Sequence, residues 1–198
     1  TTAQIAAMTT AQIAAFSVDN IVAIETADIR AMTTAQVVGL STAQVAALTT
    51  AQVVAFSTAG IAAMQTADVA SLTVDQIPVL TTAQAVALTT AQLVALTTDQ
   101  VPVLTTAQVA ALSTASVAAL QTADVALMTT AQLVSLTTAQ IAALTTAQVV
   151  AISAENIATM QTADIAALKT AQIVSLTTAQ VAALTTAQLA GLSTSSVI

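Results

Sequence analysis

Cysteine, histidine, tyrosine and tryptophan are all absent from this 198-residue chain, and aromatic residues make up 1% of it. Without histidine or cysteine there is no serine–histidine triad, no thiolate nucleophile and no zinc site. Without cysteine no disulfide forms, and cysteine usage says nothing about the redox compartment. Basic residues are nearly missing: Arg30 and Lys169 oppose nine acidic residues, for a net charge of −7. Nucleic-acid binding needs a basic stripe that neutralises phosphates, so no nucleic-acid partner is expected. The polybasic patch that would hold anionic lipid is lacking too.

Long apolar runs are also missing. The mean hydropathy is +0.90 and 57% of residues are hydrophobic, values that usually accompany membrane spans. A spanning helix needs about 20 consecutive apolar residues, and here a Thr- and Gln-rich tetrad interrupts the chain in every octad. No membrane insertion is expected. Neither is an enzymatic activity, a cofactor or a small-molecule substrate, and no residue is assigned as catalytic, cofactor-binding or metal-binding. Thr1 is not an initiator residue and no signal peptide is evident, which reads as a mature or internal piece.

What is present is a repeat. Written in eights from Thr1, the chain runs TTAQIAAM, TTAQIAAF, SVDNIVAI, ETADIRAM, through 24 octads and six residues of a twenty-fifth, without one insertion. Residues 1–198 therefore read as a single uninterrupted array. Position 5 is Ile, Val or Leu everywhere except Ala85, and position 8 is always large and apolar. All five Met (Met8, Met32, Met64, Met128, Met160) and both Phe (Phe16, Phe56) stand at position 8. Two buried side chains cannot offset the conformational entropy of eight ordered residues, so an octad must stack on its neighbours. That is the logic of a solenoid.

The tetrad TTAQ has the form of a capping box, with Thr at the N-cap and Gln three residues on. The preceding position 8 and the following position 5 then form the apolar staple across the helix start. The expected fold is all-α, a solenoid or superhelix of very short helices, one per octad. Ala at positions 3, 6 and 7 supports it by propensity. A single long helix is disfavoured, because eight residues turn about 800° and the apolar stripe would drift around it. A β-solenoid is the stronger alternative: Thr and Val favour strands, and an even period keeps each side chain on one face. Against it stand the Ala content and only three Gly (Gly39, Gly60, Gly191) for tight corners. Pro78 and Pro102, both at position 6, fit the short-helix reading poorly, since that N–H is normally bonded.

A longer period overlies the octad. Asn20, Gly60, Ser116, Asn156 and Ser196 shorten position 4, in octads beginning at residues 17, 57, 113, 153 and 193. The starts are 40, 56, 40 and 40 residues apart. In the first four cases the next octad opens ETAD or QTAD (Glu25, Gln65, Gln121, Gln161). The long polar group lost from position 4 thus returns five residues later, which suggests that one compensates for the other.

The phrase LTTAQVAAL, at Leu104–Leu112 and Leu176–Leu184, resembles the LTTxQ octapeptide arrays of very large bacterial secreted or surface proteins, labelled adhesion or haem-utilisation proteins. The resemblance covers the whole chain. It implies a structural role outside the cell or on a bacterial cell surface and carries no functional residues across. A haem role finds no ligand here beyond Met at core positions. The expected function is a structural rod, filament or matrix fibre that associates with copies of itself, laterally or end to end. Low charge favours such association. An adhesin stalk is the alternative, and an ice-binding Thr/Ala lattice is the second.

Each candidate site has a plainer reading. Asp19, Glu25 and Asp28 form the densest acidic cluster, but calcium wants six to eight oxygens and a glycine-permitted turn, so a solvated edge is the better reading. Asp75 and Asp99 read as acids in a first helical turn. The Met and Phe column reads as core rather than an open groove. Gly60 reads as a local variation rather than a hinge. Arg30 and Lys169 occupy unrelated octad positions and match no partner by pattern. The position-1 threonines read as helix caps rather than ice contacts.

The register makes a prediction about neighbouring sequence. Neither visible end carries the polar, atypical repeat that closes a solenoid, so the array is expected to continue or to dock on copies. Because Ser196 shortens position 4, a continuing array should run from Ile198 through a small residue and a Leu or Met to QTAD or ETAD. Reading the source gene past this point tests it; TTAQ directly after the STSS octad would show the cassette to be accidental.

Overall fold

The computed structural model describes residues 1–195, with side chains described as far as Leu192. Among them are 22 α-helices, numbered α1 to α22 in chain order, one 3-10 turn and no strand. Ser196, the last shortened position 4, lies outside the described residues. Apart from α22 (Thr186–Ser195), every helix has five or six residues, and the six-residue ones fill octad positions 2 to 7.

The octad Thr105–Leu112 shows why the chain folds this way. Thr105 is the N-cap of α12 (Thr106–Ala111), with φ −72° and ψ 155°. Its hydroxyl accepts the Gln108 N–H at 3.2 Å, and the Gln108 carboxamide oxygen accepts the Thr105 N–H at 2.7 Å. The capping box is therefore closed in both directions. Leu112 ends the helix at φ −59°, ψ 146°, so two successive extended residues, position 8 and the next position 1, redirect the chain. No described residue has a positive φ, so these corners need no glycine. The scarcity of glycine, which counted against a β-solenoid, costs this coil nothing.

The two apolar positions turn inward. Val109 is 2% and Leu112 6% exposed, while positions 1 to 3 of the same octad face solvent. The sulfur and aromatic side chains follow: Met32, Phe56, Met64, Met128 and Met160 are buried, whereas Met8 and Phe16 in the first turn are half-buried. Ala85, the one small residue at position 5, is buried in the same column.

Two compact units divide the chain, Thr1–Val103 and the remainder from Leu104. In the first, α1 (Thr2–Ala7) packs on α4 (Thr26–Ala31), which packs on α7 (Thr50–Ala55). In the second, α12 packs on α15 (Thr130–Ser135), which packs on α18 (Ala154–Thr159). Each helix thus lies against the helix three octads further on, and each unit is a helical solenoid.

Pro78 and Pro102 break the pattern of one α-helix per octad. Residues 74–79 form turns, and Val101–Val103 is a short 3-10 stretch. The cause is the missing N–H at position 6, which an α-helix would bond to the carbonyl four residues back. The octads keep their place because capping survives: Gln76 and Gln100 still accept the N–H of Thr73 (2.7 Å) and Thr97 (2.8 Å). Asp75 and Asp99 accordingly sit exposed in turns, a correction to their reading as first-turn helix acids.

Leu112→Asp should unfold or destabilise the array by about 4 kcal/mol or more, since it buries an unpaired carboxylate and leaves a void. Thr106→Ala, on the exposed face, should stay within about 0.5 kcal/mol. Thermal melts followed by far-ultraviolet circular dichroism distinguish the two; equal losses would mean that inside and outside are misassigned.

Candidate functional site: the glutamine ladder

The position-4 glutamines bond in two directions at once. Gln140 accepts the Thr137 N–H at 2.7 Å through its carboxamide oxygen. Its Nε2 donates to the Val109 carbonyl at 3.0 Å and the Leu112 carbonyl at 2.7 Å, 31 and 28 residues earlier. The same pair of acceptors, positions 5 and 8 of the octad four before, serves Gln44, Gln52, Gln76, Gln84 and Gln92 in the first unit. It serves Gln148, Gln172, Gln180 and Gln188 in the second. One turn of each coil therefore takes between three and four octads.

This placement follows from the shortness of the helices. The last four carbonyls of a helix have no partner within it, and a six-residue helix is mostly end. Each glutamine closes the N-terminus of its own helix and the C-terminus of one a turn away. Gln140 is 2% exposed yet fills three of the four hydrogen-bonding positions of its carboxamide. Glutamate has no donor, and asparagine is one methylene short. The ladder is thus specific for glutamine.

The close approach between turns also explains two glycines. A Cβ at Gly39 would lie 3.2 Å from both the Cβ and the carbonyl oxygen of Thr10, and one at Gly191 would lie 3.0 Å from Thr162 Cγ2.

The five-octad cassette is an interruption of the ladder. Gly60 leaves no side chain at position 4, and Phe56 Cδ1 lies within 3.5 Å of where its Cβ would be. Asn20 and Ser116 bond only within their own cap, to Ser17 and Ser113. Asn156 accepts the Thr130 hydroxyl at 2.7 Å instead of donating to main chain. The compensation expected from the sequence takes a different form. Gln65 Nε2 donates to the Val38 carbonyl at 3.0 Å, in the octad that Asp68, not Gly60, would grip were it glutamine. Gln65 thus makes up for Asp68, because a carboxylate cannot donate.

Those aspartates are buried. Asp68, Asp124 and Asp164 are 2%, 1% and 3% exposed. Burial raises the pKa of each above the ordinary 3.8, against the lowering effect of a hydrogen bond from the backbone of Gln65, Gln121 or Gln161. The Oδ2 atoms of Asp124 and Asp164 have no hydrogen-bond partner. Sequence reasoning passed over all three, since a QTAD tetrad looks like a solvent-facing cap.

The remaining candidates fall where the octad register puts them. Asp19 and Glu25 are exposed and Asp28 half-buried, and among the described residues no group of three acidic side chains gathers in reach of one ion. Lys169 is an N-cap that keeps half of its box: its N–H donates to Gln172 at 2.6 Å, but an ammonium has no lone pair to return the bond. Arg30 is exposed and borders a shallow groove of about 410 Å³ with Thr26, Thr50, Val54 and Val79. Position-1 hydroxyls are engaged as caps, which leaves the position-2 threonines as the outer hydroxyls. No helix among the described residues is long and apolar enough to cross a membrane.

Residues 21–58, 54–82, 61–98, 82–114, 117–154 and 157–194 match the ALTTAQ repeat. The chain belongs to the ALTTAQ repeat family. Four of the matched segments begin at residues 21, 61, 117 and 157, each directly after a shortened position 4 (Asn20, Gly60, Ser116, Asn156). These four matches start in the cassette register, while those starting at residues 54 and 82 do not. No curated protein and no solved structure matches the chain.

Gln140→Met, which keeps the bulk and removes every polar atom, should cost about 2–5 kcal/mol, because buried carbonyls and an N–H lose their partner. Gln12→Met, at an exposed first-turn position that serves only its own cap, should cost about 1 kcal/mol or less. Urea midpoints at unchanged slope measure both.

Proposed function

We propose that the array is a structural element, an extracellular or bacterial cell-surface rod, filament or matrix fibre whose working property is its length. The observation that carries this reading is the ladder. Each interior glutamine bonds to the octad four before it in the same way, so each octad that carries one adds the same increment of structure. Solenoids of this kind have stabilities that sum over repeats and nearest-neighbour contacts, and they lengthen without redesign. The exposed face of Thr, Thr and Ala carries little charge, which favours lateral association with copies of the same chain. The paired carbonyls of positions 5 and 8 also offer an end-to-end contact, because any following octad, covalent or not, brings the matching carboxamides.

The same increment suits a stalk that holds a separate binding domain away from a cell, and resemblance to large surface proteins supports that variant. Flanking sequence separates the two, since a stalk requires a non-repeat head and an anchor.

The test is a length series. Arrays halved and doubled in whole octads should give particles whose long dimension, by electron microscopy, scales with octad number. Compact particles of constant aspect ratio would overturn the reading.

A further inference from the structure

Asp68 and Asp164 stand where the ladder requires a donor. At this position every interior glutamine sends its oxygen to the N–H of its own cap and its amide nitrogen to two carbonyls a turn away. An aspartate reproduces only the first half. Asp68 Oδ2 accepts the Gln65 N–H at 3.2 Å, and the Gln161 backbone lies close enough to Asp164 to oppose the rise of its pKa. The second oxygen is then left on the side of the amide nitrogen. For Asp164 that atom, Oδ2, is buried and without a partner. By the octad register it faces the carbonyl side of the octad holding Leu133 and Leu136, as Asp68 faces that of Val37 and Leu40. At Asp164 an unpartnered acceptor thus stands where the ladder elsewhere holds a donor.

At Asp68 an inserted donor already reaches that octad, Gln65 Nε2 on the Val38 carbonyl, whereas nothing bonds Asp164 Oδ2, which leaves a proton on the carboxyl or a cation as what could sit there. A cation is disfavoured, because one carboxylate and two carbonyls fall short of the six to eight oxygens calcium takes. The Oδ2 atom also has almost no accessible surface through which an ion could exchange. A proton needs no space, and it turns the carboxyl into the donor that glutamine supplies elsewhere.

We propose that the QTAD octads are proton-operated seams in the array, in which Asp68 and Asp164 bind a proton on acidification and close the rung that glutamine closes elsewhere. The raised pKa of both groups, caused first by burial, points the same way.

No other charge drives the change. Asp68 lies on α9 (Thr66–Ser71), which packs on α6 (Thr42–Ala47) and α11 (Thr90–Val94). Asp164 lies on α19 (Thr162–Ala166), which packs on α16 (Thr138–Ala143) and α22. None of these four helices carries a titratable or charged residue. The charged residues of adjoining octads, Asp75 and Asp99 near Asp68, Glu155 and Lys169 near Asp164, are all exposed. Asp124 is a third buried carboxyl of the same kind, with its own unpartnered Oδ2.

The direction follows from linkage. A folded chain that holds these protons to higher pH than the unfolded chain gains stability as pH falls. The gain is complete below the ordinary value of 3.8 and is lost as pH rises through the raised folded value. Acid tightens the seams and neutral pH loosens them.

The test titrates the full chain. Carbon-13 chemical shifts of the Asp68 and Asp164 carboxyls should give midpoints above the ordinary aspartate value; midpoints at or below it overturn the proposal. On acidification towards that value the melting temperature should rise, by roughly 3–5 °C for each tenfold gain in proton affinity. The D68N/D164N variant should lose that part of the rise, and an unchanged slope would contradict the proposal. Should the variant not fold, the carboxyl titration of the unaltered chain decides alone. Adding sodium, potassium or calcium chloride at neutral pH should leave the unaltered chain no more stabilised than the variant; a stabilisation confined to the unaltered chain would replace the proton with a cation.

Discussion

A six-residue helix cannot satisfy its own ends. Four N–H groups at one end and four carbonyls at the other have no partner within it, and this chain strings such helices together with no linker beyond two extended residues. The glutamine at position 4 resolves both ends with one side chain. Its oxygen closes the N-terminus of the helix that carries it, and its nitrogen closes the C-terminus of a helix one turn away. Short helices are marginal in water because the first turn is costly to nucleate. Here the tertiary contact that rewards the turn and the cap that defines it are the same residue. Local and long-range structure therefore form together or not at all.

The apolar core depends on this arrangement and does not replace it. Position 5 is aliphatic and position 8 is Leu, Ile, Met or Phe, and in the middle of each unit they are buried almost completely. Near the described C-terminal end, Val181 and Leu189 are each 47% exposed although the octads there are ordinary in sequence. Met8 and Phe16 in the first turn are half-buried as well, so burial in this fold comes from the turns on both sides rather than from the octad itself. The seams at the QTAD octads then stand out as the places where the core continues while the polar ladder does not, and dynamics should concentrate there.

The sequence made much of this legible, for reasons tied to distance. The cap and staple were readable because their partners lie within four residues, and the inside and outside followed from the invariance of position 8. The direction of Nε2 was not readable. Its acceptors are 28 and 31 residues away, and the octad period does not say how many octads make a turn. The same gap misdirected the compensation argument: Gln65 was matched with Gly60 by nearness in the chain, whereas the coil sets it against the acceptors of Asp68. The prolines looked like an objection only under the assumption that every octad must be helical. Gln100 shows that an octad keeps its rung, to Val69 and Leu72, when its helix is reduced to a turn.

Hydrogen exchange of the glutamine side-chain amides tests the central claim most directly. Each carboxamide has its own pair of nitrogen-bound protons, observable separately from the backbone. In the folded chain, Gln44, Gln52, Gln76, Gln140 and Gln148 should exchange slowly, with protection that disappears only on unfolding. Gln4 and Gln12, which are exposed, should exchange at the rate of a free amide. Uniformly fast exchange of the interior carboxamides, with the backbone amides still protected, would contradict the account and leave the coil to be held by its apolar core alone.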